Sequence, residues 1–316
     1  MSEIEYQRKL LGDGVRNQAF HAALQRVIVP GETTLVDVGA GTGFLSFLAL
    51  TLGAQHCTLI EYSDTLKLAQ DIARRNRLSK LSFIQKHSTE VKKLARSDVV
   101  LSETLGNYAL EENLIETLND AQRFLKPGGV VIPGAVQQFV APVISGRLQK
   151  ELDVWPRVGF GLDLAPARQV ALNNMYVKSV MPADIGGDTE VARCWDRLLF
   201  AADQEAPASL RQSRQSWSSD ELRARGAQQV YGYVLWWEAE LVPGIRLSTS
   251  PFAPATHWEQ VYLPLLDAVA LGPKQQIELT LKSDTRAAVC VTWHTRLLSG
   301  VQCLQDVKQD MAKGRL

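Results

Sequence analysis

Hydrophobic and polar residues over positions 33–132 alternate between two different periods, and this change of period is the clearest signal in the chain. Short apolar runs at 34–38 and 57–60 are typical of buried strands, and helical patterns at 45–52 and 64–76 follow them. Three more strands and one more helix are predicted at residues 81–85, 98–102, 130–132 and about 112–125. Such alternation predicts βαβ units and a parallel sheet that is covered on both faces.

After about residue 134 the pattern changes to alternation of single residues, with many β-branched and aromatic side chains between turns rich in proline and glycine. Runs of this kind occur at residues 136–144, 227–241, 276–281 and 287–297. They predict an antiparallel β domain. No internal repeat and no long linker is present, so we expect the β half to pack directly on the α/β half.

The composition adds size and charge to this picture. A chain of 316 residues that is 46% hydrophobic and 22% charged has room for two domains of roughly 100–200 residues each. The formal net charge is +0, and residues 1–132 carry 15 basic and 15 acidic side chains. A surface that follows nucleic-acid phosphates normally leaves a basic excess, so direct binding of nucleic acid is not expected.

The cysteines and the apolar stretches indicate the compartment. Cys57, Cys194, Cys290 and Cys303 are scattered, without a CxxC pair, which argues against a structural zinc site and against a disulfide framework. The first ten residues are charged and lack the apolar core of a signal peptide. The longest apolar stretch, 44–52, is far shorter than the roughly 20 residues that cross a bilayer. We therefore expect a reduced, soluble, cytoplasmic protein without metal or membrane span.

A glycine-rich loop follows the first predicted strand, in the run Val36-Asp37-Val38-Gly39-Ala40-Gly41-Thr42-Gly43. Glycines let a backbone turn tightly and approach a ligand at this point of a doubly wound sheet. Glu61 lies 20 residues after Gly41, at the end of the next strand. An acid in that place can accept hydrogen bonds from both ribose hydroxyls, so the pattern predicts a site for an adenosine ligand.

Two kinds of adenosine ligand are compatible with such a loop. A nicotinamide enzyme would carry G-x-G-x-x-G around a pyrophosphate. Here the glycines follow G-x-G-x-G, and Asp37 precedes them, where an anion would repel a pyrophosphate but attract a cationic ligand. The run VDVGAGTGFLS resembles the first motif of class I S-adenosylmethionine-dependent methyltransferases. That resemblance implies that S-adenosylmethionine is the cofactor, held by Asp37, Gly39, Gly41, Gly43 and Glu61.

A second loop carries two acids. The strand at 98–102 runs into Glu103, and Gly106-Asn107 is a turn signal that folds the chain back towards Glu112. Both acids can then converge beyond the strand ends, where ligands bind in such sheets. Neighbouring carboxylates repel unless a cation lies between them, and a planar guanidinium matches carboxylates bidentately. Taken singly, either acid could equally be a surface residue or a helix-terminal acid favoured by the dipole.

The pair of acids suits chemistry on a guanidinium. Its nitrogens are poor nucleophiles because the group loses its proton only above about pH 12. Two carboxylates can hold the group, draw positive charge towards the other nitrogens, and aim one nitrogen at an S-methyl carbon. The transfer would be a single in-line displacement.

Four segments carry a specific resemblance to protein arginine N-methyltransferases, over about residue 8 to the C-terminus. Residues 103–112, with Leu105-Gly106 between the acids, resemble the double-E loop of that family. Residues 10–16 resemble its N-terminal L-x-D-x-x-R helix, and residues 155–163 are similar to the start of its dimerisation arm. Residues 256–260 match its T-H-W loop.

The resemblance implies a role for each remaining candidate. Arg16 would contact the cofactor carboxylate. Asp13 would pair with His257 beside the two glutamates, and this pair would hold the site or relay the released proton. A lone histidine is more often structural, so we assign His257 both roles. Trp258 forms an apolar wall of the arginine channel or part of the β core. Ser88 and Thr89 fall where the family contacts adenine, but neither is the acid that is usual there.

The resemblance also implies the architecture and the partners. We expect cofactor-covering helices at 1–30, a Rossmann-like cofactor domain at 31–133, and a β-barrel substrate domain at 134–316. The arm, about 155–190, implies a homodimer. The substrate would be an arginine-containing protein or peptide. The S-E-T-L-G-N form is closer to the monomethylating branch, because Thr104 and Asn107 replace the usual Trp and Tyr, and product type stays open.

Three alternatives remain at this point. A methyltransferase for a small guanidino metabolite or natural product could use the same loop. A non-catalytic cofactor-binding partner could keep the fold, although it would have no need to retain both glutamates, Asp13 and His257. A dehydrogenase is the third alternative, and nicotinamide binding would reveal it.

Overall fold

The computed structural model describes residues 3–200 and 206–315, and within them the α/β half is a five-stranded parallel sheet. The strand order is β3-β2-β1-β4-β5, with every pair parallel. The elements of this half, in chain order, are α1 (Glu3–Gly12), α2 (Gly14–Val27), β1 (Thr34–Val38), α3 (Phe44–Thr51), β2 (His56–Ile60), α4 (Thr65–Arg75), β3 (Leu81–Ile84), β4 (Ser97–Leu101), α5 (Leu114–Ala121) and β5 (Leu125–Ile132). The predicted α/β fold is confirmed.

The strand order places the site. The chain moves outward from β1 to β3, then returns to the other side of β1 to form β4, so the topology reverses between β1 and β4. Ligands of open α/β sheets bind at the carboxyl ends of the strands at this switch point. Gly39 directly follows β1 and Glu103 lies just beyond β4, so both emerge there.

The second half consists of two antiparallel sheets within the described residues. One runs β7-β12-β10-β6-β8 with β11 on β10, and the other runs β15-β14-β13-β9. Their elements are β6 (Ala135–Val143), α6 (Arg147–Leu152), α7 (Ala165–Ala171), β7 (Tyr176–Lys178), β8 (Arg193–Leu199), β9 (Leu210–Ser218), α8 (Ser219–Arg223), β10 (Gln229–Val242), β11 (Ile245–Ser248), β12 (Gln260–Ala270), β13 (Gln276–Asp284), β14 (Cys290–Ser299) and β15 (Gln302–Asp310). Alternating burial along β13 and β14 shows why single-residue alternation predicted this half.

One local prediction, the start of β5, was wrong. The helix predicted at about 112–125 ends close to the expected place, because a 3-10 turn at Gln122–Phe124 continues α5. The strand predicted at 130–132, however, already begins at Leu125, so the Pro-Gly-Gly run at 127–129 lies inside β5. The register jumps from Ser97↔Leu125 to Val99↔Val130, so residues 126–129 form a bulge. A Cβ at Gly129 would lie 2.8 Å from the Asp98 carbonyl oxygen, which explains why glycine occupies this bulge.

No helix in the described part of the chain is long and apolar enough to cross a membrane. The same residues contain no group of three or more histidine, cysteine or acidic side chains arranged to hold a metal ion.

Candidate active site

A cleft of about 590 Å³ opens at the switch point of the parallel sheet, and α1 forms one of its walls. This size is within the range of sites for small molecules. Nine of the thirteen residues that the sequence singles out line it: Arg16, Asp37, Gly39, Gly41, Glu61, Ser88, Thr89, Glu103 and Glu112. Four do not line it: Asp13, Gly43, His257 and Trp258. Segments far apart in the chain therefore meet at one place.

The glycine loop divides into a ligand-facing part and a packing part. Gly39 and Gly41 line the cleft with φ angles of +75° and +51°, which L side chains rarely adopt. A Cβ at Gly41 would come within 3.0 Å of the Gln7 amide on α1. At Gly43, a Cβ would meet the Phe47 ring of α3 at 2.7 Å and the Leu59 side chain of β2 at 2.8 Å, so this glycine allows α3 to pack closely on the sheet.

Two carboxylates border the glycine loop. Asp37 is 2% exposed, and its Oδ2 accepts a hydrogen bond of 2.7 Å from the Ser46 hydroxyl on α3. Burial raises the pKa of Asp37 to about 7, although the Ser46 hydrogen bond acts in the opposite direction. Glu61 accepts hydrogen bonds from the backbone N–H of Gly41 at 3.1 Å and of Ser63 at 2.8 Å. These bonds tie the glycine loop to the end of β2.

A short turn at residues 88–90 forms another wall of the cleft. His87 Nδ1 lies 2.8 Å from the Thr89 hydroxyl. The guanidinium of Arg123 donates to the carbonyl oxygens of Ser88 at 2.6 Å and Val91 at 2.5 Å, and it lies 4.1 Å from the centre of the Phe124 ring. Arg123 could not be predicted from the sequence, because nothing local marks an arginine that binds carbonyl groups of another segment.

The two-glutamate loop brings Glu103 into contact with α2. Arg16 Nε donates to Glu103 Oε2 at 3.0 Å, and an Arg16 terminal nitrogen contacts the same oxygen. Both side chains are almost fully buried. The arginine that was expected to contact the cofactor carboxylate thus lies in the cofactor cleft, but its partner within the described chain is Glu103.

Glu112 stands at the mouth of the same cleft. The Tyr6 hydroxyl of α1 donates a hydrogen bond of 2.8 Å to Glu112 Oε1. Much of the residue is exposed, but its carboxyl faces the cleft among other side chains. This desolvation, reinforced by the negative charges of Glu103 and Glu111, raises the pKa of Glu112 to about 7. The charges of Glu103 and Glu112 therefore interact across one cleft.

Asp13 joins the N-terminal helices to the β domain. Its Oδ1 accepts the Arg16 backbone N–H at 2.9 Å and caps α2, while its Oδ2 accepts both the backbone N–H and Nδ1 of His257 at 2.8 Å each. Burial opposes ionisation of Asp13, but these hydrogen bonds outweigh it and lower the pKa of the carboxyl. For His257, burial lowers the pKa of the ring, and the neighbouring Asp13 carboxylate only partly offsets this effect.

This geometry fixes the state of the histidine. An ionised carboxylate only accepts hydrogen bonds, so Nδ1 of His257 carries the proton that it shares with Asp13. Nε2 is then an acceptor, and it is buried without a partner among the described side chains.

Of the two places that the sequence leaves open for Trp258, a wall of the arginine channel or the β core, the structure shows a buried one outside the cleft. Trp258 is 3% exposed and lies beneath the two-glutamate loop, where its indole N–H donates to the Leu105 carbonyl at 2.7 Å. Its ring touches His257, with ring centres 3.8 Å apart. Trp258 can therefore reach a substrate only through the loop that it supports.

The parallel sheet, the glycine loop after β1 and the acid after β2 together define a class I methyltransferase. The family model for a methyltransferase domain matches residues 31–177. A second model, the arginine methyltransferase oligomerization subdomain, matches residues 136–295, just over half of the chain. The chain belongs to the protein arginine methyltransferase family.

Relatives and solved structures agree with this assignment. Protein arginine N-methyltransferase 6 of Xenopus tropicalis is 29% identical over 293 residues, covering 88% of this chain and 83% of the relative. Protein arginine N-methyltransferase 1 of Dictyostelium discoideum is 26% identical over 283 residues, covering 86% and 80%.

Two solved structures share the fold. The PRMT1 enzyme–prozyme heterotetrameric complex of Trypanosoma brucei with AdoHcy has a TM-score of 0.83 at 20% identity, with 96% of each chain covered. Protein arginine methyltransferase 10 of Arabidopsis thaliana, in an open conformation, has a TM-score of 0.80 at 18% identity, with 97% of each covered.

Proposed function

We propose that this protein transfers the methyl group of S-adenosylmethionine to a guanidino nitrogen of arginine in a protein or peptide. One observation carries the proposal: Glu103 and Glu112 both line the cleft that holds the glycine loop and Glu61. The two acids carry one more negative charge than Arg16, the partner of Glu103, can balance, and a substrate guanidinium would meet this demand with planar, bidentate geometry. The place of Asp37 beside the glycine loop argues against a nicotinamide enzyme, because its carboxylate would repel a pyrophosphate.

The cleft fits the cofactor by its donor set. Glu61 would hold the ribose hydroxyls and Asp37 the positively charged part of the ligand, with Arg16 near its carboxylate and Ser88 and Thr89 near its adenine. When bound, the cofactor supplies a methyl group on a positively charged sulfur. Gly39 and Gly41 leave the backbone uncovered at the ligand, since neither carries a side chain into the cleft.

The remaining work falls to residues of the two-glutamate loop and their neighbours. Glu103 and Glu112 hold the guanidinium and orient one nitrogen for in-line attack. With the cofactor bound, its methyl group would be the electrophile for this nitrogen and its sulfur the leaving group, and the methylated guanidinium would lose one proton. His257 lies behind the cleft, where the charge of Glu103 acts on it and Asp13 holds its Nδ1. Its buried Nε2 would therefore relay that proton by way of Glu103.

The test is to incubate the protein with methyl-labelled S-adenosylmethionine and arginine-rich peptides, hydrolyse the products, and separate the amino acids. We expect label in methylated arginine, mainly monomethyl-arginine, in keeping with Thr104 and Asn107 in the loop. A heat-denatured sample is the background control. Intact cofactor binding without label in arginine would contradict the proposal and favour a small guanidino acceptor or a non-catalytic role.

The proposal includes a homodimer formed through the arm. The match to an oligomerization subdomain and an apolar segment on the arm support it. Phe160 is 93% exposed and Leu162 67% exposed, although both are large and apolar. Sedimentation should give twice the chain mass, and the double variant Phe160→Ser/Leu162→Ser should shift it to the monomer. An unchanged monomer at all concentrations would exclude the dimer.

We also propose a cytoplasmic location. The four cysteines are unpaired in the described structure, as expected of a protein kept in a reducing compartment. Fractionation of expressing cells would test this, and recovery from an extracytoplasmic fraction would contradict it.

A further inference from the structure

Two indole N–H groups of the β domain hold the backbone of the two-glutamate loop. Trp258 donates to the Leu105 carbonyl at 2.7 Å, and Trp237 of β10 donates to the Gly106 carbonyl at 2.9 Å. Both bonds are buried. Residues 102–107 form neither helix nor strand, so these carbonyl groups have no ladder to satisfy them. A buried carbonyl needs a partner, and the two indoles supply it across the domain boundary.

Trp237 is itself rigidly held. It is 1% exposed. Its backbone N–H donates to the Thr249 hydroxyl at 3.1 Å, and its carbonyl oxygen accepts the Thr249 backbone N–H at 2.9 Å. Its ring meets Trp258 edge to face, with centres 5.0 Å apart and planes at 73°. The donor that reaches Gly106 is therefore fixed by the sheet and by the second tryptophan.

The loop offers few other points of attachment at Gly106. This residue has no side chain, and a Cβ there would lie 2.6 Å from Cβ of Glu111, so its backbone is the part that a neighbour can hold. On one side of it, the Leu105 N–H points at Glu103 Oε1 from 3.4 Å. On the other side, Asn107 accepts the Glu259 backbone N–H at 3.0 Å. Moving Gly106 would move the chain that leads to both glutamates.

We propose that Trp237 is a positioning residue, which sets the geometry of Glu103 and Glu112 through the Gly106 carbonyl. The proposal rests on the proposed arginine methylation. Phenylalanine would fill much of the same space but has no N–H, so the Gly106 carbonyl would lose its partner and the loop would shift to find another. The β domain thereby determines how accurately the guanidinium is aimed.

The test is Trp237→Phe, with Trp236→Phe as the matched control. Trp236 is the adjacent residue of β10, is also buried, and stacks on Phe139 at 5.8 Å on the other side of the strand. For Trp237→Phe we expect kcat to fall about ten- to a hundredfold, as small misplacements of reacting groups do. The cofactor Kd should stay within about twofold, because the glycine loop is untouched. Trp236→Phe should retain kcat within about twofold.

Counting the active sites in each preparation distinguishes a positioning role of Trp237 from an effect on folding alone. Rates are divided by the number of cofactor-binding sites in each preparation, measured by calorimetry well below the melting temperature of the variant. Equal kcat per site in Trp237→Phe and Trp236→Phe would overturn the proposal, whatever the difference in melting temperature. A lower kcat per site in Trp237→Phe alone supports it.

Amide hydrogen exchange keeps the inference independent of the activity. If the wild-type protein methylates no guanidino acceptor, the proposed function fails and kcat carries no information. Exchange at residues 103–112 then decides: faster exchange in Trp237→Phe than in Trp236→Phe supports the contact as the determinant of loop geometry, and equal exchange overturns it.

Discussion

The two halves of the cleft are built in different ways. In the cofactor half, the glycine loop and Glu61 come from neighbouring strands of one sheet, and the hydrogen bond between Gly41 and Glu61 joins residues only 20 apart. In the substrate half, Glu103 is bound by Arg16 and Glu112 by Tyr6, over 87 and 106 residues. A third link, from Asp13 to His257, spans 244 residues and crosses into the β domain.

This difference separates binding from chemistry. The core of the cofactor half can form wherever the sheet folds, because the hydrogen bonds of Asp37, the glycine loop and Glu61 are local to β1, α3 and β2. The substrate half exists only when α1, α2, the parallel sheet and the β domain are packed together. Changes in one half should therefore affect cofactor affinity, and changes in the other should affect transfer.

The largest effect is expected from Glu103→Gln. An amide keeps the shape of the side chain but removes the charge that would hold and polarise the guanidinium. We expect kcat to fall by about 10²–10³, which is typical when one fixed electrostatic group is removed from an active site. Calorimetry should give a cofactor Kd near that of the wild type. A parallel loss of cofactor affinity would show that Glu103 belongs to the cofactor half.

Glu61→Gln should give the reverse result, with a smaller effect. The carboxylate accepts the N–H groups of Gly41 and Ser63, and an amide has only one accepting oxygen. Hydrogen bonds to charged groups contribute about 1.5–3 kcal/mol, so we expect the cofactor Kd to rise at least about tenfold. At saturating cofactor, kcat should be close to the wild-type value. A reduced kcat under that condition would break the division between the two halves.

More of the cofactor half than of the substrate half could be predicted from the sequence, because the contacts of the cofactor half are more local. Glycines, a nearby acid and the period of the strands are local signals, and they predicted Asp37, Gly39, Gly41 and Glu61. All four line the cleft, whereas Gly43, predicted with them, does not. Glu103 and Glu112 were also found, through the turn between them. The pairing of Arg16 with Glu103 and the contacts of Tyr6, Arg123 and Trp237 depend on how distant segments pack, which no local period encodes. The start of β5 at Leu125 was missed because proline and glycine at 127–129 are more typical of a turn than of a strand interior.

The smallest predicted effect concerns pH, and it distinguishes the two halves by which variants move the pH profile. Glu112 must be ionised to hold a guanidinium, and its pKa is about 7, so kcat/KM for the peptide should rise as pH rises through this region. The Tyr6 hydroxyl stabilises the ionised carboxylate by a hydrogen bond. Tyr6→Phe removes that bond, so the rising limb should move to higher pH, by about half a unit to one unit.

Glu111→Gln is the matched variant, with the opposite expectation. The negative charge of Glu111 contributes to the raised pKa of Glu112, so its removal should move the same limb to lower pH. A bound cationic cofactor lowers the pKa of every nearby acid, and all profiles are therefore compared at one saturating cofactor concentration. Opposite shifts in the two variants would identify Glu112 as the titrating group.

Asp37 is the competing source of such a limb, because burial raises its pKa to about 7 as well. It lies in the cofactor half, bonded to Ser46, and neither Tyr6 nor Glu111 contacts it. If Asp37 titrates, the pH dependence should appear in cofactor affinity, and Tyr6→Phe and Glu111→Gln should leave its midpoint in place. A limb in kcat/KM that neither variant moves would thus assign the ionisation to the cofactor half and would remove Glu112 as the acid that controls guanidinium binding.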